Sequence, residues 1–449
     1  MELILNSMKK ILLILLICSG WFAQAQTLPA KMPGKFPATD SSRLAAEMKK
    51  LTAAGEAGLI ARTLMLKPAK TGDNTALQYA LGGYAYYVTQ AAKEDTRKIA
   101  SRAFCKALVR MPDVENKAFI ISLLEICGDN KAVPVLKQYL TNKRLCDPAT
   151  RALLQIKSPD AKVAILAALK KATGNSRITL IAALGQLRYL GALDDLTTYT
   201  ASEDPLTRKT ALLALANVGN GNSEPLLAAA AAKSQYKSDS TYATAAYLLY
   251  TWRLAENWPI GPAVKAAEKL LKNSHETAFR AAALKVLTET RSNDATMILM
   301  RAVDDTQPAY RAAAFKLAER MMTSGKAELW MIKAERSEAP VKAGVITMLG
   351  NSKQTVASKF IMKALSDKNP EVKLAAIQAV GVFGSSGMVP ALLNSMKTAD
   401  TLSVIAIRDV LLAIRGQDVL ASVSASMAFQ PPFAQAALRE VLAIRRPAQ

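Results

Sequence analysis

The sequence predicts an all-α chain assembled from stacked helix pairs, and three observations carry that reading. Ala, Leu, Lys, Met and Arg crowd a chain of 449 residues that is 51% apolar, while Gly (21) and Pro (19) stay at or below ordinary usage. From about Arg43 onward apolar residues recur at i, i+3, i+4 and i+7, without the long alternating pattern a strand needs. Short breaks rich in Gly, Asn, Asp, Ser and Pro separate these segments, and the breaks repeat. At about three times the usual domain length of roughly 150 residues, such a chain is several domains or one elongated array, and the repetition favours the array.

The first element in chain order is a leader. Lys9 and Lys10 precede an apolar run from Ile11 to Ile17, and Ala23 and Ala25 form an A-x-A site. Residues 1–25 therefore read as a secretory signal peptide cleaved after Ala25, with Met8 as an alternative start. Its apolar part, even extended to Phe22, is about 12 residues, short of the roughly 20 that span a bilayer, so no transmembrane anchor is expected. Ile17, which precedes Cys18, is not the small residue a lipidation signal needs. Residues 26–42 hold Pro29, Pro33 and Pro37, whose close regular spacing excludes a helix interior, and read as an extended linker. The expected location is the periplasm or the cell exterior.

Residues 43–449 form the array. Asp147-Pro148 with Arg151, Asp204-Pro205 with Arg208, Gln307-Pro308 with Arg311 and Asn369-Pro370 with Lys373 each place a polar residue before Pro and a basic residue three positions after it. This is a helix start: Asp or Asn accepts from free amides, and Pro at the first helical position needs no amide partner. Ala/Leu-rich helices follow, such as Lys209 to Gly219 and Lys373 to Gly384, whose closing Gly suits a C-cap. A second helix start also recurs, at Val133-Pro134, Glu224-Pro225 and Val389-Pro390. Pro308, Pro340 and Pro370 follow one another at nearly equal intervals, and the gap from Pro370 to Pro432 is twice as long, holding a less marked start near Leu402. The period is thus about 31 residues, within the solenoid range.

An N-cap and Pro, a following basic residue, a small-residue helix ending in Leu-Gly or Val-Gly and a V-P-x-L second helix together resemble the bacterial HEAT repeat, particularly the short type named after phycobilisome lyases. Fragments across nearly all of Ala91 to Ile444 fit, while Tyr236 to Leu271 reads as a degenerate unit. The resemblance implies a HEAT-like α-solenoid of roughly twelve helix pairs, stacked because neither helix of a pair buries its apolar stripe alone. Small residues such as Ala211, Ala214, Ala216, Ala375, Ala376 and Ala379 would allow close helix approach. The family pattern also implies that the basic residue joins an acidic residue of the adjoining repeat, with Arg151, Arg208, Arg280, Arg311 and Lys373 as candidates. The leader, Pro-rich entry and Ala-rich array are similar, further, to the exported HEAT-repeat region found ahead of 3-keto-glycoside hydrolase jelly-roll domains in Bacteroidota.

The chain carries little that reads as chemistry. A single histidine, His275, removes most metal and acid/base sites, and the family's di-iron hydroxylases need four His-Glu dipeptides where this sequence has His275-Glu276 alone. No C-x-x-C-H haem site, phosphate loop, G-x-S-x-G elbow or H-E-x-x-H motif occurs. Asp194-Asp195 and Asp304-Asp305 suit turns and helix starts. Cys105, Cys127 and Cys146 read as small buried residues, or two of them as a bridge between adjacent helices. Tyr79, Tyr84, Tyr86 and Tyr87, with Tyr242, Tyr247, Tyr250, Trp252 and Trp258, read as core or repeat junctions, or as a platform for a sugar ring. No catalytic residue, cofactor or metal is expected.

Charge is the remaining signal. The formal net charge is +22, or +21 once Lys9, Lys10 and Glu2 leave with the leader, and the basic residues are scattered rather than blocked. The leader disfavours nucleic acid, so the expected partners are a protein and, among polyanions, an anionic glycan, lipopolysaccharide or an acidic protein. The sequence thus reads as an exported scaffold or binding module without catalysis of its own, or as an accessory part of a carbohydrate-degrading system.

Overall fold

The protein is described here by a computed structural model covering residues 48–68, 71–257, 259–416 and 418–445. The expected leader and linker, and Trp258, lie outside these residues. Two compact units divide the chain, one ending at Glu276 and the other beginning at Thr277. Among the described residues all regular structure is helical, and no helix is long and apolar enough to cross a membrane.

The second unit shows most clearly how the sequence builds the fold. Its first helices are α14 (Thr277–Thr290), α16 (Pro308–Arg320), α18 (Ala339–Asn351), α20 (Pro370–Phe383), α22 (Thr401–Ala413) and α24 (Pro432–Arg445). Their starts are equally spaced along the chain, and each packs on the next. Their partners are α15 (Ala295–Ala302), α17 (Ser324–Glu335), α19 (Ser358–Ala364), α21 (Val389–Met396) and α23 (Asp418–Ser426). A constant period turns sequence positions into columns in space. Ala283, Ala314, Val345, Ala376, Ile407 and Leu438 form one fully buried column along the first helices. Leu299, Trp330, Ile361, Leu392 and Val423 form another along the second helices. Between them runs the core, and at about 25 cal/mol per Å² of apolar area its burial is the main stabilising contribution.

The first unit uses the same plan with a less even register. Early in it lie α1 (Gly55–Leu64), α2 (Thr75–Tyr87) and α3 (Glu94–Arg110), with α1 against α3. Then α4 (Val114–Cys127), α6 (Cys146–Ile156), α8 (Gly174–Gln186), α10 (Pro205–Val218) and α12 (Ala243–Ala255) stack one on the next. Their partners are α5 (Val133–Leu136), α7 (Pro159–Leu169), α9 (Leu193–Tyr199), α11 (Glu224–Lys233) and α13 (Gly261–Asn273). The predicted degenerate stretch, Tyr236 to Leu271, contains the regular pair α12 and α13. What is irregular is the turn before it, where Gln235, Tyr236 and Tyr242 all adopt positive φ.

The predicted punctuation appears in local geometry. Pro134, Pro225 and Pro390 sit in the first turns of α5, α11 and α21, each preceded by a single 3-10 turn. Gly219 (φ 69°) and Gly384 (φ 67°) close α10 and α20 in the left-handed conformation that residues with a Cβ avoid. Cys105, Cys127 and Cys146 are free and buried, so the disulfide alternative falls. Burial pushes the Cys105 and Cys127 thiols up to about 12, far from the thiolate form that reacts.

Candidate binding surface

The residues singled out in sequence sit at the starts of first helices and divide into caps and cross-repeat ties. Asp204 caps α10: its Oδ2 accepts from the Thr207 amide (2.8 Å) and from the Thr207 hydroxyl (2.5 Å), with Pro205 as the first helical residue. Asn369 does the same for α20, accepting from the amides of Glu371 (2.9 Å) and Val372 (3.4 Å) ahead of Pro370's helix. Before Pro308 the work moves upstream, where Asp305 Oδ1 accepts from the Gln307 amide (2.9 Å). The Gln307 side chain instead accepts from Arg280 Nη1 (2.9 Å).

At Asp147-Pro148 the expected start needs correction. The helix begins at Cys146, two residues before the expected Pro148, so Asp147 and Pro148 both lie inside the first turn. Asn142 orders the approach, its Oδ1 accepting from the amides of Arg144 (2.9 Å) and Leu145 (3.0 Å). The buried Cys146 side chain then enters the helix with the core. Asp147 instead bonds Arg151 Nη1 one turn on (2.9 Å), and burial raises its carboxyl above the usual range.

The basic residues form the expected ladder in part. Arg151 also reaches Glu125 of the preceding helix (3.2 Å). Arg280 grips Asp305 of the next repeat with both terminal nitrogens, Nη1 meeting Oδ1 at 3.1 Å. From the other side Arg311 Nη1 donates to the backbone carbonyls of Asp305 (2.9 Å) and Thr306 (3.2 Å). Two repeats further on, Lys342 Nζ donates to Asp367 Oδ2 (2.5 Å), and Lys373 lowers the Asp367 carboxyl through space. Arg208 behaves like Arg311, donating to the carbonyls of Ser202 and Glu203 in its own turn, but Ser202 stands where Asp305 and Asp367 stand in the second unit, so that position carries no acid for a preceding repeat to tie. In sequence Asp305 was read only as a turn or helix-start residue and Asp367 was not singled out, although D-x-x-P is visible at both. The Arg280 hydrogen bonds hold Asp305 well below the carboxylate range against an opposing burial penalty. At Asp367 burial pushes upward, and the bonds from Lys342 and the Asn369 amide outweigh it.

Several of the remaining candidates have structural roles, while Tyr86 is 66% exposed. Asp194 and Asp195 occupy the first turn of α9, and Asp304 accepts from Lys333 Nζ at 2.6 Å through both oxygens. Tyr247 and Tyr250 are buried and stacked at 6.2 Å. Their hydroxyls donate to Glu224 Oε1 (2.8 Å) and to the Gly221 carbonyl (3.1 Å), closing the repeat junction. Tyr84 is likewise buried and stacks on Tyr87 at 6.1 Å. Among the described residues no group of three or more His, Cys, Asp or Glu side chains could hold a metal ion.

What the array offers to a ligand is surface. A groove of about 310 Å³ crosses the first helices α16, α18 and α20, lined among others by Arg311, Phe315, Gly344, Glu371 and Leu374. Within it Phe315 lies over Gly344, where an added Cβ would stand 2.3 Å from the ring. On the second helices Met297, Leu329 and Ile332 are exposed, a feature sequence reasoning missed although the constant period lines up Ile298, Leu329 and Phe360.

Stacked first helices, a constant register and charged ties between repeats define an α-solenoid of helix pairs. Residues 163–247 and 327–411, one stretch in each unit, match the family model for HEAT repeats, so the all-α fold is HEAT-like. No curated protein sequence matches the chain significantly. Among solved structures, the karyopherin Kap121p bound to the SUMO protease Ulp1p is similar at 10% identity, covering 88% of this chain and 53% of that one, with a TM-score of 0.40. Kap121p bound to Pho4p is similar at 10% identity over 90% and 52% of the two chains, with a TM-score of 0.40. Human deoxyhypusine hydroxylase in complex with glycerol is similar at 16% identity over 65% and 96%, with a TM-score of 0.23. The chain spans about half the length of the karyopherin chains it matches.

Proposed function

We propose that the protein is an exported scaffold that binds a protein partner along its helix-pair surface and has no catalysis of its own. The observation that carries this reading is the second unit's fixed register. First helices that start at one constant period place equivalent side chains in columns, which suits an extended partner better than a compact substrate. The polar groups that could serve chemistry are committed to capping and to ties between repeats, as Asp204, Asp305 and Asp367 illustrate.

Export follows from Lys9, Lys10, the short apolar run and the A-x-A site at Ala23 and Ala25. N-terminal sequencing of the native protein is expected to begin at or near Gln26. An intact Met1 or Met8 on a cytoplasmic protein would refute export. The charge of +22, or +21 without Lys9, Lys10 and Glu2, supports an acidic partner, with an anionic glycan or lipopolysaccharide as the polyanion outside a cytoplasm. Pull-down from a periplasmic extract, repeated up to about 0.5 M salt, where the Debye length is only a few Å, is expected to recover a partner whose retention falls steeply. Salt-insensitive retention of every partner would reduce the charge to a solubility feature. An accessory role in carbohydrate breakdown rests on the resemblance of the leader, Pro-rich entry and Ala-rich array, and genomic neighbours encoding a jelly-roll hydrolase would support it.

A further inference from the structure

In the second unit the core column Leu299, Trp330 and Ile361 already satisfies the second helices' packing, so a large apolar residue facing outward beside it needs another explanation. Three successive helices carry such residues. Ile298, Leu329 and Phe360 share one column, with Ile298 and Phe360 half-buried and Leu329 48% exposed. Ile332, one turn beyond Leu329, is 49% exposed, and Met297 beside Ile298 is exposed as well. A parallel column of half-buried methionines, Met300, Met331 and Met362, runs alongside. The feature is bounded: in the next repeat the corresponding outward positions hold Ala391 and Asn394.

The charges around this strip are unbalanced. Helices α15, α17 and α19 carry Arg301, Lys326, Lys333, Lys359 and Lys363 against Glu328 and Glu335. Lys333 is tied to Asp304, and Lys326 Nζ donates to the Met321 carbonyl (3.0 Å). Arg301 and Lys359 are exposed, and Lys363, 82% exposed, only brushes Glu335 at 4.0 Å. An apolar strip with cations able to turn outward complements a ligand that is apolar along one line and negative on its flanks. Polar glycans and nucleic acids lack the first property.

We infer that the outward face of α15, α17 and α19 docks an acidic amphipathic helix of a partner protein. This rests on the reading of the chain as a binding module and names the partner's chemistry. Packed helices lie about 8–10 Å apart, so crossing three takes roughly 20 Å, or about 13 residues of a helix rising about 1.5 Å per residue. Such a helix presents an apolar side chain every third or fourth residue to the strip, and flexible methionines adapt to its shape.

The test uses the full chain without its leader and three fluorescent synthetic peptides of about five helical turns. One has Leu at i, i+3, i+4 and i+7 with Glu on the remaining faces; one has the same composition scrambled; one replaces each Glu with Lys. Binding is followed by anisotropy. The acidic amphipathic peptide is expected to bind at least tenfold tighter than either of the others. Leu329→Ser with Ile332→Ser is expected to weaken it tenfold or more, while Val163→Ser, an exposed apolar change in the first unit, leaves it unchanged. Should circular dichroism show the double Ser variant misfolded, Arg301→Glu with Lys359→Glu takes its place and is expected to reverse the preference toward the Lys peptide. Equal affinity for the scrambled peptide, indifference to both variants, or binding to anionic vesicles alone would overturn the inference. A pull-down partner whose capture ignores Leu329→Ser would overturn this docking face while leaving the scaffold reading intact.

Discussion

Replacing Gly350 by Ala tests whether the repeats stack through backbone contact. Gly350 lies within α18, and a Cβ built there would stand 2.6 Å from Ala379 Cβ and 2.9 Å from Ala379 Cα on α20. Carbon atoms pack at about 3.5–4.0 Å, so the two helices must separate by roughly 1 Å or the core beside them must shift. Overpacking of this kind costs about 1–3 kcal/mol, while Ala in place of Gly in a helix returns about 1 kcal/mol. The expected net effect is a loss of about 0–2 kcal/mol, toward the upper end because the offending atoms are backbone and a stub that cannot rotate away. Gly82→Ala in α2, with nothing within 4 Å of the new methyl, is the control and should stabilise by about 0.5–1 kcal/mol. Urea titrations followed by circular dichroism and tryptophan fluorescence would measure both. Adding Ala379→Gly to Gly350→Ala should restore most of the loss despite its own propensity cost of about 1 kcal/mol, a coupling that a double-mutant cycle isolates. If Gly350→Ala proved as stabilising as Gly82→Ala, or showed no coupling to position 379, close stacking would not be what Gly350 provides. The first unit repeats the arrangement, with Gly185 against Ala214 Cα at 2.5 Å, so Gly185→Ala should behave alike.

Three further outcomes follow from polar and backbone geometry. The Asp305 carboxyl is depressed in the folded state, so its contribution is present above the unfolded value of about 3.9 and is lost as pH falls through the folded value. Asp305→Asn should therefore lower stability near neutral pH by roughly 1–3 kcal/mol and flatten the acid limb of a Tm-against-pH profile; an unchanged acid limb would contradict the assignment. Tyr247→Phe removes the hydrogen bond to Glu224 beneath a buried ring and should cost about 1 kcal/mol in the same urea assay, with Lys269 still paired to Glu224 at 2.7 Å. Gly384→Ala forces a Cβ into left-handed backbone and should cost about 1–2 kcal/mol, whereas an Asn there, which tolerates that conformation, should cost less.

The readable parts of this fold were those decided by local chemistry. Asp204, Asn369, Pro205, Pro370, Gly219 and Gly384 act on neighbours within a few residues, and the structure places them in the caps and first turns their types suit. Asp147 shows the limit, since the turn that Asn142 orders upstream and the burial of Cys146 place the helix start two residues before Pro148. The Leu-Gly pairs at Gly185 and Gly350 read as helix endings, and each helix does end one residue later, but the glycines also make room for an alanine of the next helix in the stack. Asp305 and Asp367 were visible in D-x-x-P, but their partners Arg280 and Lys342 lie a whole helix upstream, beyond any local rule.

The candidate docking face depends on a register that the prolines alone do not give. Pro308, Pro340 and Pro370 mark unequal steps, whereas the helices begin at Pro308, Ala339 and Pro370, in equal ones. The discrepancy arises because Pro is tolerated at more than one position of a first turn, where no amide hydrogen bond is owed, so Pro340 sits one place inside its helix. One residue is about 100° of rotation around a helix. An alignment on the prolines therefore mixes the buried column Leu299, Trp330 and Ile361 with the outward column Ile298, Leu329 and Phe360, and both then look like an ordinary apolar helix face. Alignment on the helix starts separates them. In an array whose surface is defined only by repetition, the functional face becomes legible when the period is known to the residue, because a helix turns an error of one into a change from core to solvent.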